Sequence, residues 1–223
     1  SYVPFDLSSR GALYDLSKFD DFWTVARRFP TGAFVSYVYN EGMYAIPETT
    51  DFNAVVYRTD IFNNLGLKVP DTWDELIDIL PTLQRYGMNF YHNIANGQTG
   101  YKWFYQTSPM ILQNGGELYV QDDKGLVKTG IDSKKSVKGL SLLGNLFTKY
   151  SLETSVQTFF NSFRYSVNPI GIIGMEDYTL IKNGARELDG KWAISKYLGT
   201  KQEDGSVNRT FVANGTGGAI FKD

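Results

Sequence analysis

The sequence predicts an α/β fold, and three observations carry that reading. The run Pro169-Ile170-Gly171-Ile172-Ile173-Gly174 is continuously apolar, which suits a strand covered on both faces. Thr72 and Glu75 have the spacing of a capping box, and Trp73, Leu76, Ile77, Leu80 and Leu83 follow on one helical face. Strand-like and helix-like segments alternate through most of the chain, the order expected of a sheet flanked by helices.

Each element has its own signal. Leu13 to Phe29 reads as a loop and then a short amphipathic helix, with Phe19, Phe22, Trp23, Ala26 and Phe29 at spacings of three and four before Pro30 and Gly32 stop it. Phe34 to Tyr39 is β-prone, Asn40-Glu41-Gly42 is a turn, and Met43 to Pro47 resumes an extended run, so a hairpin is expected. A strand, Ala54 to Tyr57, precedes a helix, Asp60 to Leu65, that Gly66 would cap. In the helix after Thr72, Pro81 removes a backbone bond and predicts a bend or an end. Beyond Gly115-Gly116, Glu117 to Gln121 and Gly125 to Thr129 form a second hairpin about Asp122-Asp123-Lys124. A long helix begins near Asp132 or Ser133 and runs to Tyr150, with Val137, Leu140, Leu143, Phe147 and Tyr150 as its apolar stripe. After the aromatic stretch Phe159 to Phe163 and the apolar strand, Glu176-Asp177-Tyr178 opens a helix to Lys182, its carboxylates at the positive end. Trp192 to Leu198 is a strand, and Phe211 to Phe221 is extended around a glycine-rich centre.

Composition excludes several functions. Lys and Arg number 22 against 24 Asp and Glu, a net charge of −2, and no basic run is present, which argues against a nucleic-acid partner. No apolar run approaches the ~20 residues that cross a bilayer. The chain opens on Ser1 without a basic stretch leading into an apolar one, so any export signal is expected to have been removed. With no cysteine and a single histidine, His92, disulfides and thiolate metal sites are excluded, and a zinc site or a Ser-His triad is disfavoured; no metal or cofactor is expected. Aromatic residues reach 15% of the chain. Most such rings pack in cores, but a flat apolar face with a polar tip also suits stacking on sugars.

Local motifs say little by themselves. Gly215-Thr216-Gly217-Gly218 lacks the Lys-Ser/Thr of a phosphate loop and the spacing of a dinucleotide loop, so a hinge or a close backbone approach is expected there. Glu176 and Asp177 could serve a glycosidase, but sequence neighbours point in different directions, whereas glycosidase carboxylates flank the scissile bond from opposite sides. Charge at a helix N-terminus is the reading favoured for Asp177. His92 has no identifiable catalytic partner and reads as a loop histidine.

A longer pattern is more specific. Tyr44-Ala45-Ile46-Pro47-Glu48-Thr49, Asp51-Phe52, Tyr57-Arg58-Thr59-Asp60-Ile61-Phe62, Leu65-Gly66-Leu67 and Val69-Pro70-Asp71-Thr72-Trp73-Asp74-Glu75-Leu76 follow one another in order. Together they resemble the bacterial extracellular solute-binding proteins that feed carbohydrate ABC importers, the relatives of maltose-binding protein. Gly11-Ala12-Leu13 with Asp15-Leu16 resembles the loop ahead of this signature, and Leu112 to Gly116 with Leu118-Tyr119 the strand-turn segment behind it. Ile170 to Gly174, Trp192-Ala193-Ile194 and Val212-Ala213-Asn214-Gly215 to Phe221-Lys222 complete the resemblance over essentially the whole chain.

The resemblance implies a type II periplasmic-binding-protein-like fold without enzymatic activity, a sugar or oligosaccharide ligand, and ABC permease subunits as membrane partners. The implied location is extracellular: periplasmic, or anchored at the cell surface as a lipoprotein. Family members have two α/β lobes and are larger, so this chain is expected to be a fragment. Residues 1–51 would be a remnant of the first lobe and hinge, 52–211 the second lobe, and 212–223 the return crossing. Phe34, Val35 and Tyr37 would then lose their cover and form an exposed patch.

A sugar presents hydroxyl pairs at its rim and C–H patches on its faces, so its site needs bidentate polar groups and aromatic platforms. By the resemblance, the cleft is lined by the turn after Pro47, the loop before Pro109, the turn after Gly174 and the crossing near Asn214. These segments nominate Glu48, Thr49 and Asp51 as hydroxyl partners and Phe52 as a rim ring. They nominate Tyr105 as a platform, Gln106 as an amide beside it and Trp103 in reserve. Glu176 and Tyr178 complete the set; Met175-Glu176-Asp177 precede the ring where maltose-type members place an aromatic sooner, which implies a differently shaped subsite. The alternatives are a carbohydrate-active enzyme and a non-transport carbohydrate-binding or interaction domain.

Overall fold

In the computed structural model, which describes residues 3–92, 100–154 and 158–222, the chain divides into two units, Ser1–Phe52 with Ala213–Asp223 and Asn53–Val212. The first unit opens with helix α1 (Val3–Ser9), a 3-10 turn at Leu16–Lys18 and helix α2 (Phe22–Ala26). Asp15 organises this entry: its carboxylate accepts from the Ser17 amide at 3.1 Å, the Ser17 hydroxyl at 2.6 Å and the distant Met43 amide at 3.0 Å. The expected amphipathic face is only half realised. Phe22 and Ala26 are buried, but Phe19 and Trp23 are exposed, because α2 is only five residues long and cannot carry the full stripe to one side.

Two further expectations for this region are corrected. Thr31–Tyr37 is a 3-10 helix, not a strand, and the hairpin shrinks to β1 (Val38–Tyr39) and β2 (Gly42–Met43). Its turn residues Asn40 and Glu41 both take positive φ, 44° and 65°, the backbone that a two-residue hairpin demands. Coiling the segment turns Phe34 and Tyr37 into the interior and leaves only Val35 of the expected patch outside, at 73% exposure. Strand β3 (Ile46–Pro47) follows.

The second unit is a three-layer sandwich. It begins with β4 (Ala54–Arg58), α3 (Thr59–Leu65), α4 (Trp73–Arg85), β5 (Phe90–Tyr91) and α5 (Gly100–Gln113). Then come the hairpin β6 (Tyr119–Gln121) and β7 (Val127–Thr129), α6 (Lys134–Thr148), α7 (Phe159–Arg164), β8 (Ile170–Ile173) and α8 (Met175–Gly184). Strands β9 (Trp192–Ser195), β10 (Thr200–Lys201) and β11 (Val207–Asn208) close it. Four strands form one sheet in the order β5-β8-β4-β9, with β5 parallel to β8 and the other neighbours antiparallel. Side chains alternate between the faces of a strand, and here both faces are dry. Val55, Ile170 and Ile172 meet α4, α6 and Met110 on one side; Val56 and Ile173 meet Phe159, Phe163 and Ile181 on the other. All four residues of β8 are buried, as its unbroken apolarity requires.

Local signals hold in this unit. The Thr72 hydroxyl accepts from the Glu75 amide at 3.3 Å and the Glu75 carboxylate accepts from the Asp71 amide at 2.6 Å, while Gly66 caps α3 at φ 64°. Helix α4 continues through Pro81 to Arg85 instead of ending there. Leu76, Leu80 and Leu83 are buried around Pro81, and their packing outweighs the one missing bond. Two corrections concern α5 and α6. The expected loop before Pro109, and the start of the strand-turn segment at Leu112, belong to α5. The buried face of α6 is Ser136, Gly139, Leu143 and Leu146, whereas Val137 of the expected stripe is exposed. The reason is the approach of α5: a Cβ on Gly139 would collide with the Met110 carbonyl, so the helix turns its smallest residues inward.

The chain then returns to the first unit, where β12 (Gly217–Gly218) pairs antiparallel with β3. Among the described residues, no helix is long and apolar enough to cross a membrane.

Candidate functional site

The nominated residues fall on both units, Glu48, Thr49, Asp51 and Phe52 on the first and Tyr105, Gln106, Glu176 and Tyr178 on the second. On the first unit, the extended strand β3 runs on into residues 48–51, and these pair with 214–216. The Glu48 and Thr49 amides donate to the Thr216 carbonyl at 2.9 and 3.3 Å, and Asp51 and Asn214 exchange backbone bonds at 2.6 and 2.8 Å. Such pairing needs a close approach, and Gly215 permits it: a Cβ there would collide with the Thr49 carbonyl. The glycine-rich segment therefore serves the close approach its composition suggested.

The ladder gathers polar groups on an exposed surface. The Thr49 and Thr216 hydroxyls lie 2.9 Å apart, and the Thr216 hydroxyl donates to the Glu48 carboxylate at 3.4 Å. Glu48, Thr49 and Asp51 are all exposed, and Phe52 follows with its ring 43% exposed. Carboxylates and hydroxyls so arranged can accept from and donate to neighbouring hydroxyls of a polyol. Thr216 was not nominated by its sequence; its glycine neighbours were the signal, since a segment shaped to lie against 48–51 brings its own side chain into that array.

On the second unit, Tyr105 and Gln106 lie on α5. Tyr105 is half-buried with its ring edge-on to Phe104 at 5.7 Å. Gln106 is 4% exposed, and its Oε1 has no hydrogen-bond partner among the described residues. The side chain of Trp103 lies outside the described residues. Gln113, at the end of α5, fixes the helix: its Oε1 accepts from the Trp73 indole at 3.0 Å and its Nε2 donates to the Leu198 carbonyl at 2.9 Å.

At the carboxyl end of β8, Gly174 precedes α8. Glu176 is exposed and its carboxylate folds back over Gly174, where a Cβ would collide with it, so its charge sits at the positive end of the helix. Tyr178 is half-buried against the second core, edge-on to Trp192 at 5.6 Å, with the Lys182 ammonium 5.8 Å from its ring centre. Tyr91, at the carboxyl end of β5, packs on Phe159 at 4.7 Å. Burial, together with the charge of Asp177, pushes its phenol up to about 12. Among the described residues, no group of three or more His, Cys, Asp or Glu is placed to hold a metal ion.

Residues 1–167 match the family described as bacterial extracellular solute-binding protein. Over 48 residues the chain is 35% identical to the multiple sugar-binding protein of Streptococcus mutans serotype c, which covers 22% of this chain and 11% of that protein. The structure is similar to maltose-bound MalE3 of T. maritima, with a TM-score of 0.74 and 20% identity over 98% of this chain and 55% of that one. It is similar to the GacH receptor of Streptomyces glaucescens, solved unliganded and with acarbose, with a TM-score of 0.72 and 19% identity over 97% and 53% of the two chains. A solute-binding protein of Thermotoga lettingae bound to α-D-tagatose gives 0.71 and 19% over 96% and 55%. The chain thus spans about half the length of these solved structures, and the likeness establishes a mixed α/β fold matching part of a type II periplasmic binding protein.

Proposed function

The chain belongs to the bacterial extracellular solute-binding proteins, and from that premise we propose that it forms part of the sugar-binding component of an ABC importer. The family is non-enzymatic, so the reading is capture and delivery, not turnover. Asn53–Val212 stands as the second lobe, and Ser1–Phe52 with Ala213–Asp223 as part of the first. A sugar or oligosaccharide would be held in a cleft between the lobes of the complete protein and passed to the membrane permease.

The observation that carries this reading is the exposed array of Glu48, Thr49, Asp51 and Thr216, a set of hydroxyls and carboxylates held by backbone pairing in a chain of this family. Phe52 and Tyr105 would supply ring faces and Gln106 an amide. Glu176 and Tyr178, preceded by Met175, would shape a subsite unlike that of the maltose-type members. Hinge closure around a ligand would exclude water and strengthen each polar contact.

Calorimetry of the full-length protein against maltose, maltotetraose and tagatose tests the proposal. Sugar binding is expected, and Glu48→Gln and Tyr105→Ala should each weaken it about ten- to a hundredfold, the value of losing about 1.5 to 3 kcal/mol in a dry site. If a sugar binds and both variants retain wild-type affinity, these residues do not line the site. If no sugar in a broad panel binds, the sugar-transport reading fails.

A further inference from the structure

His92 is the one histidine in the sequence, and no role above uses it. It lies just past β5, two residues beyond Phe90 and so on the same face of the strand, and it is 4% exposed. Among the described residues, three rings box it: Trp73 of α4 at 5.9 Å, Phe90 at 6.4 Å and Phe147 of α6 at 6.1 Å. Neither ring nitrogen has a hydrogen-bond partner among the described residues. A neutral imidazole tolerates such a box poorly, and an imidazolium, with two donors to satisfy and a charge to desolvate, tolerates it far less.

Among the described residues, the groups around the box do not compensate a positive charge. Helix α4 presents Trp73, with Asp74 and Glu75 on its exposed side; α6 presents Phe147, while Lys149 beyond it lies over the Tyr150 ring at 5.1 Å. Behind Trp73 stands Tyr197, ring centres 6.2 Å apart, a phenol that burial keeps neutral. Among the described residues, strand β5 also has the fewest pairs in the sheet. Among the described residues it is an edge strand joined to β8 through two residue pairs, Phe90 with Ile170 and Tyr91 with Gly171.

We propose that His92 is an acid-operated latch: neutral, it pins the end of edge strand β5 into the box of Trp73, Phe90 and Phe147, and protonation expels it and frees β5 from β8. Burial lowers the imidazole from 6.5 to about 4. Because the folded value lies below the unfolded one, the unfolded or released state binds more protons between these limits. Closure is therefore fully favoured above pH 6.5 and weakens as pH falls toward 4, by roughly a hundredfold at pH 4.

A single histidine makes the test direct. The imidazole resonance of the full chain should stay neutral well below pH 6.5, and amide exchange at Phe90 and Tyr91, corrected for its intrinsic pH dependence, should rise roughly a hundredfold by pH 4 while Val55 and Val56 stay protected. His92→Phe, and His92→Leu should the larger ring fit badly, should abolish that rise. An imidazole midpoint near 6.5, or the same acid-induced exchange in both variants, overturns the proposal.

Discussion

The two units solve the problem of burying apolar surface in different ways. Asn53–Val212 covers both faces of a four-stranded sheet with helices, so Val55 and Val56, adjacent in sequence, are each fully buried in a different core. Ser1–Phe52 with Ala213–Asp223 has short helices, pairs of two-residue strands and, among the described residues, one small cluster of Leu16, Phe22, Ala26, Phe34 and Met43. Beside that cluster a groove of about 560 Å³ is lined by Trp23, Phe29, Val35 and Val38, and Trp23 is 53% exposed. A sheet with two dry faces gives each strand two sets of partners. A ladder between distant segments gives little beyond its backbone bonds, and those are close to balanced by the water bonds they replace. The second unit should therefore carry most of the stability, and the first should respond locally.

The largest expected effect tests that inequality. Trp73→Ala removes a fully buried ring and its bond to Gln113 and should cost about 3–5 kcal/mol in urea unfolding of the second unit. Phe22→Ala, in the smaller cluster beside the groove, should cost less and alter exchange protection only within the first unit. Equal costs, or a Phe22 variant that unfolds both units together, would break the comparison.

A smaller effect concerns Arg58, buried in the second unit at 2.6 Å from Asp60 and donating also to the Phe163 carbonyl and the Ser166 hydroxyl. Asp60→Ala leaves that buried charge without its carboxylate partner and should cost about 3 kcal/mol. The hydrogen bond from Arg58 holds the Asp60 carboxyl below its ordinary 3.8. Its contribution is therefore present above pH 3.8 and is lost as pH falls through the lower folded value. Acid titration of the variant should lack that component of the wild-type curve. The smallest effect, about 1 kcal/mol, is expected for Thr72→Ala, which deletes the α4 cap, and Thr72→Ser should restore most of it.

The nominated site residues were legible only as segments. Residues 48–51 were nominated because a long ordered pattern runs through them, whereas Thr216, which joins their hydrogen-bond array, lies far along the chain and is disclosed only by the pairing of 46–51 with 214–218. The same holds for Gln106: its type is plain, but its burial, with an oxygen that has no hydrogen-bond partner among the described residues, follows from α5 being a helix where a loop was expected.

What the sequence determined by itself is what depends on near neighbours or on composition. The Thr72–Glu75 cap, the glycine that ends α3, the positive-φ turn at Asn40-Glu41 and the wholly buried β8 each rest on interactions within a few residues or on unbroken apolarity. The tertiary structure decided the rest. It coiled Thr31–Tyr37 into a 3-10 helix, rolled α6 onto Ser136 and Gly139, carried α5 through Pro109 and closed three rings around His92. For α6 the deciding partner is remote in sequence, the Met110 carbonyl against Gly139, and close packing against such a partner outweighs a local preference of a few tenths of a kcal/mol per residue.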